Sequence, residues 1–174
     1  MDRLASSIAC VVALMLVCCA PHRQQVVTTA ASSSRCPVTI PNGSQAPGVF
    51  TDDSTPSPTS HGNGKIWTNL SIDGKLQITP DSDGTIGTKF PWWKEVPGHL
   101  TVTGRRLDAP AGPLRAWIPW GYGEKFQSSG LYFPTGGCWE ITGKAGDAEL
   151  TFVVDVIILE RSDDKALTRN VSDR

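Results

Sequence analysis

Apolar and polar residues alternate in the longest regular part of the chain, residues 136–156. Trp139 and Ile141 share one face of its first half. Alternate residues of the second half and just beyond it are also apolar: Leu150, Phe152, Val154, Val156 and Ile158. A period of two is typical of half-buried β-strands. The turn-forming residues 143–147 lie between the two rows, so we predict a β-hairpin with a loop longer than the tightest type. Its apolar rows are predicted to form the floor of the core.

Shorter runs of the same kind predict the other strands, at residues 65–70, 75–79, 85–90, 99–107, 114–118 and 131–133. Residues rich in Gly, Pro, Asn and Asp separate these runs, and we predict loops at 42–64, 91–98 and 119–123. No segment has a convincing helical period over three turns. About seven short strands without crossover helices predict an all-β, immunoglobulin-like antiparallel β-sandwich.

The first residues have the pattern of an export signal. Residues 4–19 follow one arginine and are apolar or small, without charge. This run is shorter than the roughly 20 residues of a membrane-spanning helix, and its end resembles the lipobox of bacterial lipoproteins. We therefore predict lipidation at Cys19 or Cys18. An ordinary cleaved signal and a retained anchor are the alternatives, and all three place the following residues outside the cytoplasm.

The chain divides by composition into four predicted parts. They are a signal segment over 1–19, a disordered tether over 20–35, a β-sandwich domain over 36–160 and a disordered tail over 161–174. Cys36 and Cys138 are the two cysteines of the predicted domain, and an oxidising compartment allows them to form a disulfide. The sequence leaves this pairing open, because it does not give the separation of their Cα atoms.

The charge balance excludes one class of partner. The chain has 16 basic and 17 acidic residues and a formal net charge of -1. A nucleic-acid-binding surface is normally strongly basic, so we predict no nucleic-acid partner. The 17 glycines and 13 prolines favour many turns over long helices.

Four motifs resemble those of a group of bacterial secreted proteins and lipoproteins for which no activity is established. They are HGNGKIW at 61–67, KFPWW at 89–93, GRRLD at 104–108 and GCWEITG at 137–143. The resemblance covers most of the chain from residue 36 to about residue 156. It implies an extracytoplasmic, immunoglobulin-like β domain, and it implies no catalytic residue.

Aromatic residues between prolines and glycines are the best candidates for ligand contacts. Indole and phenol rings in such loops can face solvent, stack on sugars or enter protein interfaces. The alternative is that these rings cap the open ends of the sandwich core. The neighbouring lysines Lys89, Lys94 and Lys125 either serve a ligand or keep the loops soluble. The predicted contact residues are Trp92, Trp93, Trp120 and Tyr122.

Metal binding and catalysis find little support in the sequence. His61 and His99 lack the paired spacing of zinc ligands, and no Cys-x-x-Cys occurs. Glu140 and Asp155 are isolated carboxylates of predicted strands, where such residues are routine. We therefore predict no catalytic residue, no metal and no cofactor.

These patterns together predict an exported, non-enzymatic binding domain of the cell envelope. Its partner would be an envelope glycan or protein, contacted through the aromatic loops, and its N-terminus would hold it at the membrane. The main alternative is a sensor or inhibitor of a secreted enzyme. A secreted hydrolase or a metal-binding protein is a less favoured alternative.

Overall fold

A computed structural model of the protein describes residues 36–48 and 57–161. The predicted signal segment and tether, with Cys18 and Cys19, lie outside the described residues, as does the predicted tail after Arg161. Nine β-strands and no helix form the regular structure of the described ranges: β1 (Ser60–Gly62), β2 (Ile66–Asn69), β3 (Lys75–Ile78), β4 (Gly87–Lys94), β5 (Thr101–Arg106), β6 (Arg115–Trp117), β7 (Phe126–Tyr132), β8 (Gly137–Ala145) and β9 (Ala148–Ile158).

The strands form a β-sandwich of two sheets. The five-stranded sheet has the order β1-β2-β4-β7-β6, and the four-stranded sheet has the order β3-β9-β8-β5. With β2, β4, β5, β6, β7, β8 and β9 taken as strands A to G, the sheets contain A-B-E-D and G-F-C. This is the arrangement of an immunoglobulin domain, so the predicted fold class is confirmed. Two details differ from the prediction: β1 was not predicted, and β3, which was predicted, pairs with β9 in parallel.

The core lies between the facing surfaces of the two sheets. Trp139 and Ile141 of β8 and Phe152 of β9 are almost completely buried, as the alternation predicts. From the five-stranded sheet, Phe90 and Trp92 of β4 pack against Phe152, with ring centroids 5.6 and 5.8 Å away. Each sheet therefore contributes one row of alternate residues to a shared apolar layer.

The predicted loop at 91–98 was wrong in its first half, because β4 continues to Lys94. We expected Pro91 to end the strand, since proline has no amide hydrogen to donate. However, β2 pairs with β4 only at the three positions from Trp92 to Lys94. Pro91 therefore lies beside the end of β2, where its missing donor breaks no β2–β4 hydrogen bond.

The turn between β8 and β9 is tighter than predicted. Ala145 pairs with Ala148, which leaves Gly146 and Asp147 as a two-residue turn. Gly146 has a φ of +54°, a left-handed conformation that glycine adopts without strain. Residues 143–145, which we predicted to be loop, belong to β8 because their backbone groups pair with β9.

Strand β1 lies within the segment predicted as the long loop 42–64. Its Ser-His-Gly sequence has no apolar alternation, so only its partners reveal it as a strand. It pairs with β2, and the Asn42 side chain accepts a hydrogen bond from Gly62 N at 3.1 Å and donates one to Gly62 O at 2.7 Å. Tertiary hydrogen bonds thus order a segment that local sequence does not.

Cys36 and Cys138 form a disulfide, with their Cα atoms 5.4 Å apart. This separation lies within the usual range for such a bond. The segment around Cys36 also bonds to β9, where Thr39 N donates to Val153 O at 2.8 Å and Thr39 Oγ1 accepts from Val153 N at 2.9 Å. The disulfide therefore attaches the beginning of the described chain to the four-stranded sheet.

Candidate functional site

A cleft of about 640 Å³ opens at one end of the sandwich. Its walls are the β4–β5 loop, residues 95–100, and the β6–β7 loop, residues 118–125. This volume is within the range of ligand pockets, roughly 300–1,000 Å³. The β8–β9 turn lies at the same end. In immunoglobulin variable domains, the loops that bind antigen include those corresponding to the β4–β5 loop and the β8–β9 turn.

Turn-forming residues shape the β4–β5 wall. Gly98 has a φ of +99°, and a Cβ atom added to it would lie 3.2 Å from Gly146 N. The β4–β5 loop therefore packs closely against the β8–β9 turn. Two residues after Gly98, Leu100 N donates a hydrogen bond to Gln127 Oε1 of β7 at 3.1 Å. These two contacts hold the loop between the sheets.

The β6–β7 wall carries the most exposed aromatic side chain of the cleft. Trp120 is 85% exposed, and its indole meets His99 of the opposite wall edge-on, with ring centroids 5.0 Å apart. Tyr122 is 45% exposed and meets Phe126 edge-on at 5.5 Å. Both residues line the cleft and belong to the set predicted from sequence.

Trp93, a third predicted contact residue, lies outside the lining. It is on the outer face of the five-stranded sheet, opposite Phe126 of β7, with ring centroids 5.3 Å apart. Because Phe126 also contacts Tyr122, the side chain of Trp93 supports a wall residue rather than facing the cleft.

The predicted contact role of Trp92 is wrong. Trp92 is only 1% exposed, and its Nε1–H donates to Ser129 Oγ at 3.0 Å. Successive residues of a strand point to opposite faces, so continuation of β4 sends Trp92 into the core and Trp93 outward. Trp92 is therefore a residue of the core, packed against Phe90 and Phe152.

The three lysines named with these loops have different surroundings. Lys89 is exposed on β4 and does not line the cleft. Lys125 is exposed at the cleft and pairs with Glu95, with Nζ 2.9 Å from Oε1. Lys94 lines the cleft but is only 6% exposed, and its Nζ donates to Val96 O at 3.2 Å. The cleft thus contains one buried ammonium among exposed charges of both signs.

The residues weighed for metal binding or catalysis lie on different elements of the fold. His61 lies on β1 and His99 lies in the β4–β5 loop, and no group of three potential metal ligands occurs within residues 36–48 and 57–161. Burial lowers the pKa of His61. Glu140 accepts a hydrogen bond from Arg105 Nε at 2.7 Å, as expected for a surface ion pair.

Comparisons with protein-family models, with curated proteins and with solved structures each found no match to this chain. Within the residues that the structure describes, no helix is long and apolar enough to cross a membrane.

Sequence reasoning missed several features of this site. It considered His99 only as a metal ligand, although its position after Pro97-Gly98 was a signal for an exposed loop. It considered Lys94, together with Lys89 and Lys125, either for a ligand or as a solubilising loop charge, and it did not predict that Lys94 is buried, because β4 was expected to end earlier. Counting the alternation from Phe90 through Trp92 would have placed Lys94 on the inner face of the sheet.

Proposed function

We propose that this protein is an exported, non-enzymatic binding domain of the cell envelope that holds a saccharide in the cleft between residues 95–100 and 118–125. The observation that carries the proposal is the exposed indole of Trp120 on the wall of a cleft of ligand size. An aromatic face presented to solvent beside a concave surface suits the C–H face of a sugar ring.

The environment of Trp120 supports a contact role over a structural one. Large aromatic residues that stabilise a domain bury most of their area, as Trp92 and Trp139 do. Trp120 buries little, and its aromatic contact is with His99, which is itself exposed. An indole that stays in water contributes little to folding, but its exposed face is available to cover part of a ligand.

The shape of the site favours a saccharide over a protein partner. Stable protein interfaces usually bury about 800 Å² on each side and are often fairly flat. A concave site with an aromatic wall and a few polar groups is more typical of a small or elongated ligand. A protein partner, as for a sensor or inhibitor of a secreted enzyme, is therefore an outcome that the test must distinguish.

Binding of envelope saccharides to the full chain tests this proposal, with calorimetry on the oligosaccharides selected by a glycan array. Trp120→Ala is expected to raise Kd about 10-fold or more, since an aromatic side chain central to a site often contributes about 2 kcal/mol. Trp117→Ala is the matched control, because Trp117 is also exposed, at 61%, but does not line the cleft. Its Kd should stay within about 2-fold of the original.

Absence of saccharide binding, or an equal loss in both variants, would contradict the assignment. Capture of a secreted protein through the same loops, without saccharide binding, would favour the sensor or inhibitor instead.

The proposed location has its own test, the intact mass of the mature chain extracted from membranes. A diacyl or triacyl increment on Cys18 or Cys19 is expected for the lipid-anchored form. An unmodified chain that begins after about residue 20 would indicate a freely secreted protein.

A further inference from the structure

We propose that the saccharide held by the cleft is acidic and that its carboxylate binds the ammonium group of Lys94. This inference rests on the proposed function and adds the chemical class of the ligand. It begins from a side chain that the fold buries without supplying a counter-ion.

Lys94, at 6% exposure, is the one charged residue among those described that is buried. A lysine ammonium has three hydrogens to donate. One of them bonds to Val96 O, and within residues 36–48 and 57–161 the structure gives Nζ no other hydrogen bond and no ion pair. A buried charge normally requires a partner of opposite sign, because removal from water is costly.

The position of Lys94 in the fold places its ammonium group, which lacks an anionic partner, at the cleft. Lys94 is the last residue of β4, and its backbone N–H donates to Lys125 O at 2.8 Å, where the two walls begin. Its Nζ reaches the carbonyl of Val96, which is a wall residue. The ammonium therefore lies at the cleft end of the side chain, within reach of a bound molecule.

Lys94 is the cation of the cleft that is best placed to bind an anion of the ligand. Lys125 is already neutralised by Glu95 and is largely in water. The carboxylate of Glu124 is exposed, so solvent and salt screen its repulsion of an anion. The lining contains two lysines and two glutamates in all. A preference for acids must therefore come from the position of Lys94 rather than from net charge.

A carboxylate fits the donors better than a phosphate does. Phosphate sites usually combine several cations or a row of free backbone N–H groups with the anion. Here a single ammonium offers two hydrogens, and the nearby amide of Leu100 is occupied by Gln127. Two donors on one cation match the oxygens of one carboxylate.

Matched sugars test the inference on the full chain. The pairs are glucose and glucuronic acid oligosaccharides, and N-acetylglucosamine and N-acetylmuramic acid, with glucose 6-phosphate as the phosphate probe. The acidic member of at least one pair should bind about 10-fold or more tightly at neutral pH, as expected for a charge-assisted hydrogen bond.

Lys94→Met should reduce that preference to within about 2-fold, mainly by weakening the binding of the acidic sugar. Lys89→Met is the matched control, because it removes the same charge from the same strand outside the cleft and should keep the preference. Lys94→Gln repeats the test if the Met variant does not fold, as judged by its thermal unfolding.

The outcomes separate the two proposals. Saccharide binding without an acid preference, or a preference that survives in Lys94→Met, overturns the carboxylate assignment and leaves the proposed function intact. Tighter binding of glucose 6-phosphate than of the uronic acids overturns the choice of carboxylate over phosphate. Absence of any saccharide binding overturns both proposals.

Discussion

A cation lies at each end of the sandwich, and the two cations have different partners. At the end where β8 begins, Arg106 donates to Asp108 at 2.7 and 3.3 Å and to Thr135 Oγ1 at 2.9 Å. At the cleft end, the more deeply buried Lys94 donates to one carbonyl. A charge whose partners come from the fold serves stability, whereas a charge that lacks them is available to a ligand. We name the end with Arg106 and Asp108 the fastened end, because its cation is paired within the fold, and the proposed ligand site lies at the other end.

The disulfide belongs to the fastened end, and its removal should have the largest effect. Cys36→Ser with Cys138→Ser opens a loop of sequence separation 102, which corresponds to about 4–5 kcal/mol in the chain-entropy model. We expect the free energy of unfolding to fall by this order in urea titrations. Ligand affinity of the folded fraction should not change. A large loss of affinity at unchanged stability would contradict the separation of the two ends.

Trp92 lies between the two ends, on the inner face of β4 two residues before Lys94. Replacing it by alanine leaves a cavity beside Phe90 and Phe152 and removes the hydrogen bond that Ser129 Oγ accepts, so we expect a loss of about 3–5 kcal/mol in stability. Trp120→Ala should change stability by less than about 0.5 kcal/mol, because its ring is exposed. Thermal and urea unfolding of the two variants measure this contrast. Similar losses in both would show that Trp120 is structural.

Loss of the ion pair of the fastened end should have a small effect on stability. The hydrogen bond from Arg106 holds the pKa of Asp108 below its ordinary value of 3.8. The stabilisation is therefore present above the unfolded-state pKa and is lost as pH falls through the lower folded-state pKa. Asp108→Asn should cost less than about 1 kcal/mol at neutral pH, since the pair is partly in solvent.

The measurement for this pair is the free energy of unfolding as a function of pH. Asp108→Asn should flatten its decline below about pH 4. In an Arg106→Gln background, the same substitution should have little further effect. A full effect in that background would show that a group other than Arg106 lowers the pKa of Asp108.

Much of the fold could be predicted from the sequence, because apolar and polar residues alternate along a strand that is buried on one face only. The rows of β8 and β9 were identified in this way, and so was the sandwich. The cleft was only partly predicted. Trp120 and Tyr122 were found from their Pro- and Gly-rich loop, but Trp92 was misassigned because strand β4 continues past Pro91.

Local periodicity and composition were enough to predict the all-β class, the apolar layer and the pair of cysteines available for a bond. The stacking of the two sheets was needed to bring Cys36 to Cys138, to pair β3 in parallel with β9, and to place the buried Lys94 in the same cleft as the exposed Trp120. Each of these depends on residues far apart in the chain. Their proximity follows from how the two sheets stack, and no local pattern encodes that.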